Sequence, residues 1–386
     1  MSNTLTNLIP TLYEALDIVS RELVGMIPAV LKDTGANRAA LNQTVRVPVA
    51  PANTSADIVP AATGPDPSSQ SIGSQTITIT KSKSSSFYWE GEEEKGMDSA
   101  SIPYRRNLLR DQFAQAMRVL TNEIEEDLAQ AGYKGASRGY GTSGTTPFTD
   151  TTKLENLAQV GKILDDNGCP KSDRHCVIDT VAGVNLRSLT QLTNVNEAGE
   201  RDLLRQGSLS NLLGFAIGES AGIGIHTAGD GASYQTDGAV AQGGKTITLD
   251  TGTGDVLEGD IVTFADESPV GQYVVGTGIA APGDIVINNP GVVSAAGIAD
   301  DKAMTIANAY TYNLAFHRNA IVLANRAPAL PEGGDSADDR MMIQDPVSGL
   351  VFEVSVYRQY RRVAYEVAMA WGQSAIKEEH IAILIG

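Results

Sequence analysis

The longest regular pattern in the chain is helical and runs from Ile102 to Ala131. Large apolar residues recur at steps of three and four, which places them on one face: Leu109, Phe113, Met117, Leu120, Ile124 and Leu128. Charged residues occupy the opposite face: Arg105, Arg106, Arg110, Arg118, Glu123, Glu126 and Asp127. Pro103 suits a first helical turn, and Gly132 suits the position after the last one. The pattern predicts a helix of roughly 45 Å that lies on a sheet, although an ordinary long surface helix fits it too.

A shorter amphipathic pattern precedes this helix, between Thr6 and Gly25. Its apolar residues share one side of a helix and are Leu12, Leu16, Val19 and Leu23. A segment this short needs other structure to lie against. It predicts either an arm or the first helix of the core.

From Val45 the apolar residues recur at every second position, which is typical of a strand. Val45, Val47 and Val49 alternate with Arg46 and Pro48, and the proline restricts this strand to an edge. A stretch rich in Pro, Ser, Gly and Ala follows, and then come Ile77, Ile79 and the run from Phe87 to Trp89. The pattern predicts a long two-stranded ribbon with a loose tip, held by a neighbouring subunit because isolated ribbons are marginal in water.

After a Gly, Ser and Thr-rich boundary, helical and strand patterns alternate. We predict a helix at Lys153–Asp166, a strand at Cys176–Asp179, a helix after Thr180 and a short helical piece at Arg201–Gln206. Near the end of the chain, Leu350–Tyr357 and Val363–Trp371 predict a hairpin whose turn carries arginines, and Ile381–Ile385 predicts a last strand.

The composition changes between Thr227 and Tyr312, where Gly, Asp, Thr and Val dominate. Strand-like runs separated by turn residues predict a small all-β module, with strands at Lys245–Leu249, Asp260–Phe264, Tyr273–Val275, Asp284–Ile287 and Ala303–Ala307. The module contains eleven acidic and two basic residues, a net charge of -9 out of the chain's -17.

Composition and charge exclude several classes of function. The 386 residues have a mean hydropathy of -0.11 and contain no apolar run near the ~20 residues of a membrane span. The first residues lack the pattern of a signal peptide, so we expect a cytoplasmic chain. The net charge of -17 argues against nucleic-acid binding. Cys169 and Cys176 are too few for a disulfide scaffold and do not have zinc-site spacing.

The sequence also lacks a recognisable catalytic constellation, cofactor motif or metal motif. Asp250-Thr251-Gly252-Thr253 has the letters of an acid-protease turn, but that chemistry needs two aspartates that share a proton, and these four letters occur once. We favour a hairpin bend there. The four histidines are scattered through the sequence and lack metal-ligand spacing. We therefore expect no enzyme, no cofactor and no metal.

The order of these parts resembles the major capsid proteins of tailed double-stranded DNA bacteriophages, which have the Hong Kong ninety-seven type fold. The segment Gly207–Ser220, with Leu209, Leu213, Gly214, Phe215 and Ile217, is similar to one that these proteins carry around the centre of each capsomer. The β module, with its run Thr248–Phe264, resembles the insertion domain of short-tailed transducing phages.

The resemblance implies an α+β capsid fold with an inserted all-β domain. Its parts would be 1–44, an N-terminal arm; 45–96, an E-loop β ribbon; 97–151, the spine helix and part of the P-domain; 152–226, the A-domain; 227–312, the inserted β domain; 313–335, the A-domain return; and 336–386, the P-domain hairpin and C-terminus.

The implied function is that of a virion shell subunit assembled in the host cytoplasm. Its partners would be many copies of itself in hexamers and pentamers, a scaffolding protein and a portal protein. The shell would enclose double-stranded DNA without binding it sequence-specifically. Candidate inter-subunit contacts are charged residues: Glu90, Glu92, Glu93, Glu94, Arg358, Arg361 and Arg362. The alternatives are an encapsulin-type cargo shell, which generally lacks an inserted β module, and more distantly an acid protease at Asp250.

Overall fold

The structure is a computed structural model, and it describes residues 5–23, 25–35, 37–49, 57–58, 60, 73–98, 102–150, 153–193 and 211–386. The predicted helical piece at Arg201–Gln206 and most of the predicted ribbon tip lie outside these ranges. Within them the helices are α1 (Leu5–Glu22), α2 (Met26–Ala29), α3 (Gly91–Asp98), α4 (Ile102–Lys134), α5 (Glu155–Asp166), α6 (Thr180–Arg187) and α7 (Thr190–Thr193). Two 3₁₀ turns span Arg318–Ala320 and Glu378–His380.

The strands of the described ranges form two large sheets and one ribbon. In chain order they are β1 (Leu31–Thr34), β2 (Thr44–Val49), β3 (Gly73–Thr78), β4 (Lys81–Glu90), β5 (Arg138–Gly141), β6 (Arg174–Ile178), β7 (Asn211–Leu212), β8 (Phe215–Glu219), β9 (Ile225–His226), β10 (Gln235–Thr236), β11 (Thr246–Asp250), β12 (Ile261–Phe264), β13 (Tyr273–Thr277), β14 (Gly283–Ile287), β15 (Met304–Ile306), β16 (Tyr310–His317), β17 (Ile321–Arg326), β18 (Asp339–Gln344), β19 (Val351–Gln359), β20 (Arg362–Ala375) and β21 (Ile381–Ile385).

The predicted long helix is confirmed as α4, which has 33 residues and a length of roughly 50 Å at ~1.5 Å per residue. All six residues of its apolar stripe are buried. The helix passes through Gly132 and ends two residues later, at Lys134, so the prediction that Gly132 follows the last turn was wrong. A Cβ on Gly132 would lie 2.6 Å from Leu314 Cδ1, so close packing and not termination requires glycine here.

The charged face of α4 also needs a correction, because two of its acids do not point into water. Asp127 is buried, and its carboxylate accepts hydrogen bonds from Trp371 Nε1 at 2.9 Å and Lys81 Nζ at 2.8 Å. Glu123 forms ion pairs with Lys81 and Lys83. The helix thus lies on a sheet as predicted, but its polar residues bond to that sheet as well.

The N-terminal pattern forms α1, whose residues Leu12, Leu16 and Val19 are buried. They belong to the same core cluster as the stripe of α4. Of the two alternatives left by the sequence, contact with its own core is therefore the one that this helix makes. The Glu125 carboxylate of α4 also accepts the backbone N–H of Met26 and that of Ile27, the latter at 2.9 Å.

The first sheet has six strands within the described ranges: five follow the order β1-β17-β20-β19-β18, and β4 pairs with β20 along its whole length, Lys81–Glu90. The predicted hairpin is confirmed as β19 and β20, and Tyr365, Val367, Met369 and Trp371 are buried on one face under α4. Phe113 of α4 contacts Tyr365 with ring centroids 5.4 Å apart. Because β4 belongs to this sheet, the prediction that Phe87–Trp89 lies in the ribbon was wrong.

The second sheet has thirteen strands and contains β5, β6, β8, β16 and β21 at its centre. The last strand matches its predicted bounds, Ile381–Ile385, and pairs with β16 on one side and β5 on the other. Helix α5 packs against this sheet through a second core, which includes Leu157, Val160 and Leu164. Two short strands, β7 and β9, also belong to this sheet, and its other six strands, β10 to β15, come from the β module.

The β module is confirmed as an all-β unit, since all five predicted strands are present as β11 to β15, each within two residues of its expected bounds. It has its own buried cluster, which includes Ile247, Leu249, Phe264, Ile285 and Ile287. Its two ends lie side by side, because β9 pairs with β16 through Tyr310 and His226. The expected α+β architecture with an inserted all-β domain is therefore the observed one.

Candidate contact surfaces

The acidic run and the hairpin arginines, which are far apart in the sequence, lie together at one end of the first sheet. Pairing of β4 with β20 places Glu90 opposite Arg362. The backbone N–H of Gly91 donates to the carbonyl oxygen of Arg361 at 3.1 Å, and Arg361 adopts a positive φ of 56° in the hairpin turn. We call this group the charged patch: Glu90, Glu92, Glu93, Glu94, Arg358, Arg361 and Arg362.

The charges of this patch are poorly matched within their own chain. Among the residues that the structure describes, the side chains of Glu92, Arg358 and Arg361 have no hydrogen-bond or ion-pair partner. The guanidinium of Arg362 lies 5.0 Å from the centre of the Tyr88 ring, and its Nε donates to Gln359 Oε1. Exposed charges without partners cost the chain little, and they remain free to meet charges on another molecule.

An open cleft of about 770 Å³ lies within the patch and is lined by Glu90, Gly91, Glu92, Lys95, Tyr360, Arg361 and Arg362. Sequence reasoning missed Lys95. Tyr360 lies in the basic and aromatic run Tyr357–Arg362 of the predicted hairpin and was not among the candidate contacts, but its side chain is 90% exposed. An aromatic residue among arginines at a turn is a usable signal for a contact surface, because tyrosine and arginine are enriched at interfaces.

The ribbon lies at the other end of β4. Strands β2 and β3 pair over six residues, and neither pairs with a third strand within the described ranges. Ile77 and Ile79 at its base are buried against the first sheet, whereas the four residues from Gly73 to Thr76 are exposed. With ten residues in β4, the ribbon base and the charged patch are separated by roughly 30 Å at ~3.3 Å per residue.

The acid-protease alternative fails on geometry. Asp250 ends β11, and the next residue, Thr251, has a positive φ of 56°, as the predicted bend requires. The sequence contains a second Asp-Thr-Gly triplet, Asp33-Thr34-Gly35, which could in principle supply the partner aspartate. Asp33 lies in the other sheet and pairs with Arg326 at 3.1 Å. The two aspartates therefore do not share a proton.

The sulfur and imidazole groups show no catalytic or metal-binding arrangement. Cys169 and Cys176 are free thiols, and burial raises the pKa of Cys176 to about 12. His317 and His380 come together, with ring centroids 6.1 Å apart, although they are far apart in the sequence. Within the part of the chain that the structure describes, no group of His, Cys, Asp and Glu is arranged to hold a metal, and no helix is long and apolar enough to span a membrane.

No family model and no curated protein matches the chain. Solved structures do. The capsid structure of the cyanophage P-SCSP1u has a TM-score of 0.47 at 12% identity, over 92% of this chain and 86% of that one. A Mycobacterium phage Che8 structure has a TM-score of 0.44 at 14% identity, over 90% and 88%. The virus-like particle from Pyrococcus furiosus has a TM-score of 0.44 at 10% identity, over 97% and 98%. All three TM-scores are below 0.5, and all three identities are 14% or lower.

Proposed function

We propose that the chain is the major capsid protein of a tailed double-stranded DNA bacteriophage, a structural subunit that assembles with copies of itself into an icosahedral shell. One observation carries the proposal: two surfaces that make few contacts within their own chain lie at opposite ends of β4. The charged patch is at one end, and the exposed part of the ribbon begins at the other.

Two different surfaces at opposite ends of one subunit favour head-to-tail contacts. A ribbon that reaches from one copy to the charged patch of the next uses a different surface on each partner, and such contacts repeat around rings and closed shells. The patch carries both signs of charge, so it can fix the register of a neighbour through ion pairs that the isolated chain does not make.

The core between these surfaces has the stiffness that such a subunit needs. The stripe of α4 joins the first sheet through Phe113 and reaches the second sheet through Tyr133, whose ring is stacked 4.3 Å from that of Tyr312. One continuous core therefore links both sheets. A force that a neighbouring subunit exerts on the ribbon would therefore reach the second sheet through packed side chains and not through a flexible linker.

The remaining roles follow from charge and position. The net charge of -17 favours enclosing DNA without sequence-specific contact. The β module, at -9, would repel DNA if it lined the interior, so we place it on the outer face. We propose the part boundaries given above, except that β4 belongs to the first sheet and not to the ribbon. We also propose assembly into hexamers and pentamers in the host cytoplasm, with a scaffolding protein and a portal protein as further partners.

Electron microscopy of the purified protein tests the function. We expect closed shells, with DNA inside those isolated from a phage infection; protein cargo instead would favour an encapsulin-type compartment. Acid proteolysis that is lost in Asp250→Asn, with no shells, would overturn the proposal.

A charge reversal tests the patch. We expect Arg361→Glu to stay folded and to assemble poorly. Lys153→Glu makes the same charge change at a side chain that is 61% exposed and lies outside the patch, and it should assemble normally. Equal assembly of the two variants would contradict a role for the patch without contradicting shell formation.

A further inference from the structure

A cavity of about 370 Å³ lies where the β module meets α5 and β5. It is lined on one side by Arg138, Lys162, Asp166 and Asn167, and on the other by Gln242, Gly243, Pro269, Pro290, Val292 and Val293. Four of these residues thus lie outside the β module and six lie within it. The shell function proposed above makes no use of this cavity.

The side chain that distinguishes the cavity is Arg138, which is only 8% exposed. One of its terminal nitrogens, Nη2, donates to Asn167 Oδ1 at 2.8 Å. Its Nε is buried and has no hydrogen-bond partner among the described residues, and no carboxylate there lies within ion-pair distance of the guanidinium. Burial lowers the pKa of Arg138 from its ordinary value, but an arginine stays protonated inside proteins.

The nearby acids are occupied by other groups. Asp166 forms an ion pair with Lys162 at 3.0 Å. Glu267 accepts hydrogen bonds from the hydroxyl of Tyr273 and from the backbone N–H of Gly271, and burial raises the pKa of Glu267. Arg138 is therefore a buried cation that lacks a contacting counter-ion and has a free donor, an arrangement that is destabilising unless an anion completes it.

We propose that this cavity binds a small oxyanion, a phosphate or carboxylate group, through Arg138. The planar guanidinium presents paired N–H donors in the geometry that carboxylate and phosphate oxygens accept. Lys162 and the exposed amide of Gln242 at the rim supply further donors once the ligand competes with their present partners. A bound anion would join the β module to α5 and thereby stabilise the junction between them.

Isothermal titration of the full-length protein with inorganic phosphate, at constant ionic strength, tests this site, with acetate as a parallel titrant. We expect saturable binding with one site per chain and a higher midpoint of thermal unfolding. Arg138→Gln removes a charge-assisted hydrogen bond and should raise the Kd by about tenfold or more. Saturation by acetate but not by phosphate would identify a carboxylate ligand.

If Arg138→Gln does not fold, a second variant that keeps Arg138 can still test phosphate binding at this cavity. Gln242→Glu leaves Arg138 in place and adds a negative charge at the exposed rim, so it should also weaken phosphate binding. Lys153→Gln, near the opposite end of α5, removes one positive charge outside the cavity and should bind as the original protein does. Unsaturable binding, or equal Kd values in Gln242→Glu and Lys153→Gln, would overturn the proposal.

Discussion

The buried carboxylate of Asp127 offers a sharp test of how α4 is attached to the first sheet. Asp127→Ala removes the acceptor for Trp371 Nε1 and one of the two acceptors for Lys81 Nζ. The Trp371 side chain is fully buried, so no water reaches its indole N–H to replace the lost bond. Alanine is the best helix former, so the substitution adds no cost from helix propensity.

The expected magnitude is the sum of two unequal losses. A buried donor left without an acceptor costs ~1–3 kcal/mol. Lys81 keeps Glu123 and its side chain is 32% exposed, so the lost ion pair resembles a surface pair of ~0.2–1 kcal/mol. We expect Asp127→Ala to lower the free energy of unfolding by about 1–4 kcal/mol in total. Asp127→Asn keeps an oxygen for the indole and should lose only the smaller part.

Urea unfolding of the unassembled subunit measures these differences. Glu126→Ala is the matched control, because it removes a carboxylate from the next position of the same helix where the side chain is exposed. A surface change of this kind should stay within about 0.5 kcal/mol of the original protein. If Asp127→Ala and Glu126→Ala unfold at the same urea concentration, the indole bond does not hold α4 to the sheet.

Three further changes test other parts of the fold. Leu120→Pro in the middle of α4 should cost ~3 kcal/mol or more and give insoluble or unassembled protein, and normal shells in micrographs would contradict a rigid strut. The hydrogen bond from Arg174 lowers the pKa of Asp165 below its ordinary 3.8. The original protein should therefore be more stable than Asp165→Asn above pH 3.8, and this difference should disappear as the pH falls through the lowered pKa. A stability difference that does not change with pH in acid unfolding would argue against this pair. Amides of residues 73–76 should exchange quickly in free subunits and slowly after assembly, and equal hydrogen exchange in both states would show that the ribbon needs no neighbour.

Local periodicity explains what the sequence could predict. The stripe of α4, the alternation in β20 and the turn-separated strands of the module each depend on near neighbours in the chain. The bounds of β21 were therefore predicted to the residue. The end of α4 was not, because the glycine that locally resembles a helix end, Gly132, lies inside the helix and leaves room for the distant Leu314.

Long-range pairing explains what the sequence could not predict. The acids and arginines of the charged patch were visible as residue types, but their proximity depends on the register that places Glu90 opposite Arg362. The same pairing moved Phe87–Trp89 from the ribbon to the first sheet. Asp127 was assigned to a solvated face because its partners, Lys81 and Trp371, lie on two distant strands.

The β module was predictable from local periodicity, whereas the way it is attached depends on long-range pairing. Its adjacent ends explain how 83 residues, 227–309, can be inserted between β9 and β16 with little strain on the rest of the fold, because β9 and β16 pair with each other at the insertion. Side-chain hydrogen bonds also join the module to the rest of the chain. Asp260 lies 2.7 Å from His226 Nε2, and Asn288 donates to the carbonyl oxygens of Lys134 and Ala136 just where α4 ends. Carbonyl groups at a helix end lack partners within the helix, so the module completes the end of α4 and braces the longest element of the fold.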